Sequence, residues 1–198
     1  MKKMFQETLI LFVITMCSGL MLGFIYNITK EPIRVQQEKT KLKACKEVFQ
    51  DAVNFEGLEG FNEIIDYSGL LTDIKEVIVA YDVNNSEIGY VFVITTHEGY
   101  NGDITFSMGV TRNGVLNGIS ITSISETAGL GMKAEEVLQP QFSNKEVDEF
   151  VYTKSGATFD NQIDAISGAT ITTNAITNGV NAGLNFFQIE LQGGSQNE

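Results

Sequence analysis

The chain has 198 residues, 43% of them hydrophobic, with 13 Lys and Arg against 25 Asp and Glu, a formal charge of -12. That length holds one domain of ordinary size plus an appendage, and the apolar content is enough for a packed core. The acidic balance, two cysteines and one histidine argue against a nucleic-acid partner, an iron–sulfur cluster and a His/Cys zinc site.

Charge is unevenly placed. Up to Lys46, eight basic residues stand against three acidic ones; beyond it, five stand against twenty-two. Cys17 lies in an apolar run and Cys45 in a charged helical stretch, so no disulfide is expected. Redox chemistry on such a chain must therefore be carried by an organic cofactor.

Thr8 to Tyr26 holds nineteen residues and no charge. As a helix it spans about 29 Å, close to the hydrocarbon thickness of a bilayer. The apolar region of a cleaved signal peptide is shorter, about 7–15 residues, so residues 1–27 are read as a tail and a retained single-pass anchor. Thr15, Gly19 and Gly23 form a small-residue stripe that lets helices approach closely in lipid. Lys2 and Lys3 precede the anchor, while Lys30, Arg34, Lys39, Lys41, Lys43 and Lys46 follow it. The positive-inside count places the C-terminal side in the cytoplasm. A basic stretch also binds anionic membrane lipid at either face, so charge alone leaves both topologies open.

Residues 28–54 read as a membrane-proximal helix. Pro32 suits a first turn, and Leu42, Cys45, Val48, Phe49 and Ala52 keep a 3.6 period. Residues from about Phe55 to Asp73 carry mixed signals. The stretches EVIVAYDV and IGYVFVIT then flank an Asn84-Asn85 turn. ITFSMGV and VLNGISIT flank Asn113-Gly114, which predicts an antiparallel meander. A glycine-rich loop, SETAGLGMK, leads to a short helix over Ala134 to Leu138. Ile176, Val180, Leu184 and Phe187 mark one face of a helix running from about Thr172 to Glu190. Strands followed by a terminal helix indicate an α+β fold. Residues 191–198 read as a disordered tail.

Ser-Gly-Ala-Thr occurs twice, ending at Thr158 and at Thr170. The second copy sits just before the terminal helix, where unpaired N–H groups and positive partial charge favour a phosphate. Ser167, Thr170, Thr172 and Thr173 are placed to cap or line that helix start, and Gly168 and Ala169 leave room for a bulky group. The first copy is followed by Phe159-Asp160 and has no helix behind it. The plain alternative for either copy is a turn with an N-cap.

DAISGATIT resembles the flavinylation motif of the FMN-binding domain family: an Asp, two residues, then Ser/Thr-Gly-Ala-Thr. Asp164, Ser167, Gly168, Ala169 and Thr170 fill the motif, whereas Tyr152 stands at the acidic position of the first copy. SETAGLG, Ser125 to Gly131, is similar to the family's Glu-Thr-Pro-Gly-Leu-Gly loop, with Ala128 in place of proline. GYNG, Gly99 to Gly102, is a third match. The anchor followed by NITKEPI resembles the membrane-proximal part of the G subunits of Rnf electron transport complexes.

The resemblance implies FMN held covalently on Thr170 by a phosphoester, installed by a separate flavin transferase that uses FAD. It makes residues 55–190 the FMN-binding domain, with Glu126, Thr127 and Leu130 lining the ring. Gly129 and Gly131 would allow close backbone approach. Tyr100 would stack on the ring or fill core, and Lys154 would offset anionic charge or remain surface. Thr170 would be a tether, so no catalytic residue and no metal ligand are expected. The implied role is an electron relay in a complex coupling ferredoxin:NAD oxidoreduction to Na⁺ or H⁺ translocation, beside other membrane and redox subunits. The flavin domain would then lie outside the cytoplasm, against the lysine count. Two other readings stand beside it: the C subunit of a Na⁺-translocating NADH:quinone reductase, and a membrane-anchored binding module without flavin. A serine hydrolase using Ser167 and His97 lacks the GxSxG elbow.

Overall fold

The computed structural model describes residues 2–69 and 71–192; of the tail expected over 191–198, Leu191 and Gln192 instead end a π-helical turn, and 193–198 lie outside the described residues. The chain divides into two units, one up to Thr40 and one from Lys41. Helix α1, Lys2–Val48, runs through both without a break, and Pro32 lies inside it. A proline inside a helix loses one hydrogen bond and costs about 3 kcal/mol. Starting a second helix at Pro32, as the sequence suggested, would instead expose two further sets of unpaired backbone groups. The segment beginning at Lys3 is long and apolar enough to cross a membrane, and its most apolar window is fully exposed.

In the second unit five strands form an antiparallel meander in chain order: β1 (Asn54–Gly57), β2 (Thr72–Tyr81), β3 (Glu87–Thr96), β4 (Ile104–Thr111) and β5 (Leu116–Ser123). The Asp82 carboxylate accepts the backbone N–H groups of Asn84 and Ser86, both at 2.8 Å, and closes the β2–β3 turn. At Asn113-Gly114 the N–H of Thr111 reaches Val115 O at 2.9 Å. A short helix α2 (Ala134–Val137) follows. Strands β6 (Val151–Thr153) and β7 (Gln162–Asp164) then pair in parallel, and helix α3 (Thr170–Phe186) continues into a π-helical turn over Phe187–Gln192. The α+β architecture matches the sequence reading; β1 and the parallel pair add to it.

Helix α3 covers one face of the sheet. Ile176, Val180 and Leu184 are buried against Phe92, Ile94, Phe106 and Met108, each worth about 1.5–3 kcal/mol of hydrophobic stabilisation. Gly179 and Gly183 permit this approach, because a Cβ at 179 would lie 2.9 Å from Phe106 and one at 183 would lie 2.7 Å from Ile94. The opposite face packs on the last turns of α1 through Cys45, Val48 and Phe49 against Ile78, Ala80 and Val91.

Amide side chains fasten α3 at its edges. Asn178 donates to Glu98 at 2.7 Å, and Asn181 spans the Phe150 backbone, accepting its N–H at 2.8 Å and donating to its carbonyl at 2.9 Å. Asn185 accepts the Tyr67 hydroxyl at 3.0 Å, and Gln188 donates to Asp148 at 3.1 Å. Phe186 adds edge contacts to Phe61, Tyr67 and Phe92. The mixed stretch before β2 is thereby docked on the end of α3.

Candidate functional site

A cavity of about 480 Å³ opens where three chain segments meet. Tyr100 comes from the β3–β4 loop, and Glu126, Thr127, Leu130 and Gly131 come from the loop after β5. Residues 168–172 enter from the mouth of α3.

The mouth of α3 is uncapped by side chains. Ala169 is its N-cap, and no acidic residue occupies the first turn. The Thr173 hydroxyl turns inward instead, donating to Ala169 O at 2.9 Å and accepting the Ile166 N–H at 3.2 Å. The N–H groups of the first turn thus keep their positive partial charge facing the cavity. Thr170 is half-buried on that wall. Among the described residues, no lysine or arginine lines the cavity.

Glu126 ties the three segments together. Its carboxylate is 7% exposed; it accepts the Thr172 hydroxyl at 3.1 Å and the Asn101 N–H at 3.3 Å. The Asn101 amide also donates to Ser125 O at 2.9 Å. Gly131 lies against this pair so tightly that a Cβ there would stand 2.6 Å from Thr172 Oγ1 and 2.7 Å from Glu126 Cβ. Gly168 has φ +78°, the left-handed region that glycine tolerates, and a Cβ there would meet Leu130 at 3.1 Å. The wall is thus cut back to backbone where a flat, bulky group would enter.

Nine of the residues singled out in the sequence line this cavity: Tyr100, Glu126, Thr127, Leu130, Gly131, Gly168, Ala169, Thr170 and Thr172. Four do not. Ser167 and Lys154 are exposed away from it, and Gly129, with φ +78°, makes the bend behind it. Asp164 accepts the Ala157 N–H at 2.6 Å, while Gln162 accepts both the Thr158 N–H at 2.9 Å and the Thr158 hydroxyl at 3.1 Å. The first Ser-Gly-Ala-Thr copy is therefore the tight connection between β6 and β7, outside the cavity. Ile171 lines the cavity and was not singled out. It falls off the Ile176–Val180–Leu184 stripe, and an apolar side chain off the core face of a helix was the available signal.

Comparison with known proteins agrees with this geometry. The FMN-binding domain family matches residues 99–185, which contain the whole cavity wall. The G subunit of the Na(+)-translocating ferredoxin:NAD(+) oxidoreductase complex of Acetobacterium woodii is 32% identical, with 94% of this chain and 93% of the relative covered. Its proton-translocating counterpart from Clostridium ljungdahlii is 30% identical over 82% of this chain and 80% of its own. The G subunit of an ion-translocating oxidoreductase complex from Methanosarcina acetivorans is 28% identical over 88% and 89%. The crystal structure of NqrC from Shewanella oneidensis shares the fold, with TM-score 0.52 and 16% identity over 71% of this chain and 70% of that one. On the strength of these full-length similarities, the chain belongs to the G-subunit family of ion-translocating ferredoxin:NAD(+) oxidoreductase complexes and carries that family's FMN-binding domain.

Proposed function

We propose that this chain is a membrane-anchored electron-relay subunit that carries FMN through a phosphoester on Thr170. One observation supports the choice of threonine above the others. Thr170 lines the cavity at an uncapped helix mouth, whereas Thr158 lies outside the cavity with its hydroxyl bonded to Gln162.

The residues present fit the group. The first-turn N–H groups of α3 would hold the phosphate, and this would be the main compensation for its charge because no lysine or arginine lines the cavity among the described residues. Gly131 and Gly168 would leave room for a flat group, with Leu130 and Ile171 as apolar walls and Tyr100 on the cavity lining. Buried Glu126 keeps the two loops in register with α3. FMN, when bound, would supply the one-electron chemistry that none of these side chains can perform. Thr170 would prevent its loss.

The complex would include other membrane and redox subunits, and maturation would need a flavin transferase. On this reading the flavin domain lies outside the cytoplasm. Arg34 is paired with Glu31 and Glu38, Lys41 with Glu76 and Lys43 with Glu47, so half of the basic residues beyond the anchor are engaged by carboxylates. Protease digestion of a C-terminally tagged chain on intact cells checks this placement; complete protection of the tag would reverse it.

Mass spectrometry of the peptide containing Thr170 tests the central reading. Native protein co-expressed with a flavin transferase should show the FMN mass on Thr170. Thr170→Val should abolish it and Thr158→Val should leave it. An unmodified Thr170 peptide under those conditions would overturn the assignment.

A further inference from the structure

His97 is the single histidine of the chain, and it lies outside the cavity wall. It opens the seven-residue connection between β3 and β4, and Asp103 closes that connection. Between them stand Tyr100, which lines the cavity, and Asn101, whose N–H reaches Glu126.

Both nitrogens of the His97 ring face carboxylates. Nδ1 is 2.8 Å from Asp103 Oδ1, and Nε2 is 2.9 Å from Asp73 Oδ2. An ionised carboxylate only accepts, and a neutral imidazole has one N–H to give. Both bonds exist together only when the ring carries two protons. We propose that protonated His97 is a positioning residue that staples the base of the 97–103 loop, holding Tyr100 and the Asn101 N–H against the cavity, and that loss of one ring proton releases the loop.

The direction of release follows from burial. Asp73, 3% exposed, also accepts from Lys75 Nζ at 2.8 Å and from the Asp66 N–H at 2.9 Å. Leaving a partner of that buried carboxylate unmade costs more than freeing an exposed one. Asp103 is 62% exposed in its side chain, so a neutral ring keeps its proton on Nε2, toward Asp73, and the Asp103 bond opens. The neighbouring charges complete the set. Lys75 is shared between Asp73 and Glu63, and Glu98, the next residue, accepts from Asn178 on α3. The His97 N–H holds Leu71 O at 2.8 Å, fixing the backbone behind the ring. Asp103 and then Asp73 push the imidazole above its ordinary 6.5, against a smaller opposing effect of burial, so the staple outlasts the midpoint of a free imidazole and opens as pH rises beyond it.

This inference concerns the loop and stands apart from the attachment chemistry at Thr170. Full-length chain in detergent micelles, purified through a tag without histidine, gives the test in two forms: flavin-loaded and Thr170→Val. Nitrogen-15 NMR of the lone imidazole should show both nitrogens protonated at pH 6, with a midpoint above 6.5 that Asp103→Ala lowers. Hydrogen exchange of residues 99–102, corrected for intrinsic rates, should rise several-fold as pH passes that midpoint. In Asp103→Ala, which has neither donor nor acceptor for the ring, it should be fast throughout and insensitive to pH. Asp103 is 62% exposed in its side chain, so truncating it leaves the core untouched. The Thr170→Val form should behave like the loaded one, which separates this result from the fate of the flavin. A neutral ring at pH 6, or equal loop protection in wild type and Asp103→Ala at every pH, overturns the proposal.

Discussion

The Thr172 hydroxyl donates to Glu126 across 3.1 Å, with Thr172 1% exposed and Glu126 7% exposed. This bond joins the mouth of α3 to the loop after β5. Thr172→Val keeps the shape and removes the donor, leaving the buried carboxylate short of a partner, which costs about 1–3 kcal/mol. Denaturant unfolding of the full chain in detergent should show that loss, and Thr172→Ser should recover most of it. An unchanged midpoint in the valine variant would mean that water replaces the hydroxyl.

Gly131 packs against the same pair. A methyl group there would sit 2.6 Å from Thr172 Oγ1, and overpacking of this kind costs about 1–3 kcal/mol. Gly131→Ala should therefore lower both stability and the FMN content per chain. Gly129→Ala meets no atom within 4 Å but strains a residue at φ +78°, so it should lower stability while FMN content stays high. Absorbance of the purified variants at the flavin band, set against unfolding midpoints, separates the two.

The Asp73 cluster makes stability depend on pH in two windows. Burial pushes the Asp73 carboxyl up, but hydrogen bonds from Lys75, the Asp66 N–H and His97 more than offset it and hold the group well below its ordinary 3.8. Its contribution is present above about pH 4 and is lost as pH falls through the lowered folded value. His97 shifts the other way, upward from 6.5, chiefly through Asp103. Its contribution is full below pH 6.5 and is lost as pH rises through the folded value. Urea midpoints measured from pH 3 to pH 9 should fall at both ends. His97→Gln should flatten the alkaline side and weaken, without abolishing, the acid side, because Lys75 and the Asp66 N–H still hold Asp73.

Cys45 offers a chemical check on the packing of α1 against the sheet. Burial pushes its thiol up to about 11, against the pull of Lys41. Reactivity follows the thiolate, so iodoacetamide at pH 8 should leave Cys45 unmodified in native protein and label it in denaturant. Labelling at equal rates in both states would mean that the last turns of α1 leave the sheet.

Periodicity made α3 legible, because it buries one regular face; the meander was legible from its apolar runs and turn residues, since β2 to β5 are buried on both faces. The approximate helix range from Thr172 began only two residues late. Strand β1 was hidden because Asn54–Gly57 is mostly exposed and pairs only at the sheet edge. The β6–β7 pair was hidden because three-residue strands carry no period, and the parallel pairing joins positions eleven residues apart that no local pattern connects. In the site, short motifs named Thr170, Glu126 and Gly131, and the fold brings all three to the wall of one cavity. They could not show that Asp164, next to Thr170 in sequence terms, faces the Ala157 turn instead. The direction of a side chain depends on the parallel register of β7, a tertiary fact.

The fasteners of α3 at Asn178, Asn181, Asn185 and Gln188 all follow Thr170 in the chain. On the proposed attachment, a ribosome delivers the acceptor residue before the parts that lock its surroundings. The contacts that dock the helix bearing Thr170 are complete only once residue 188 has emerged. Flavin loading would then fall late in biogenesis, and a chain cut short within α3 would present Thr170 without the contacts that dock its helix.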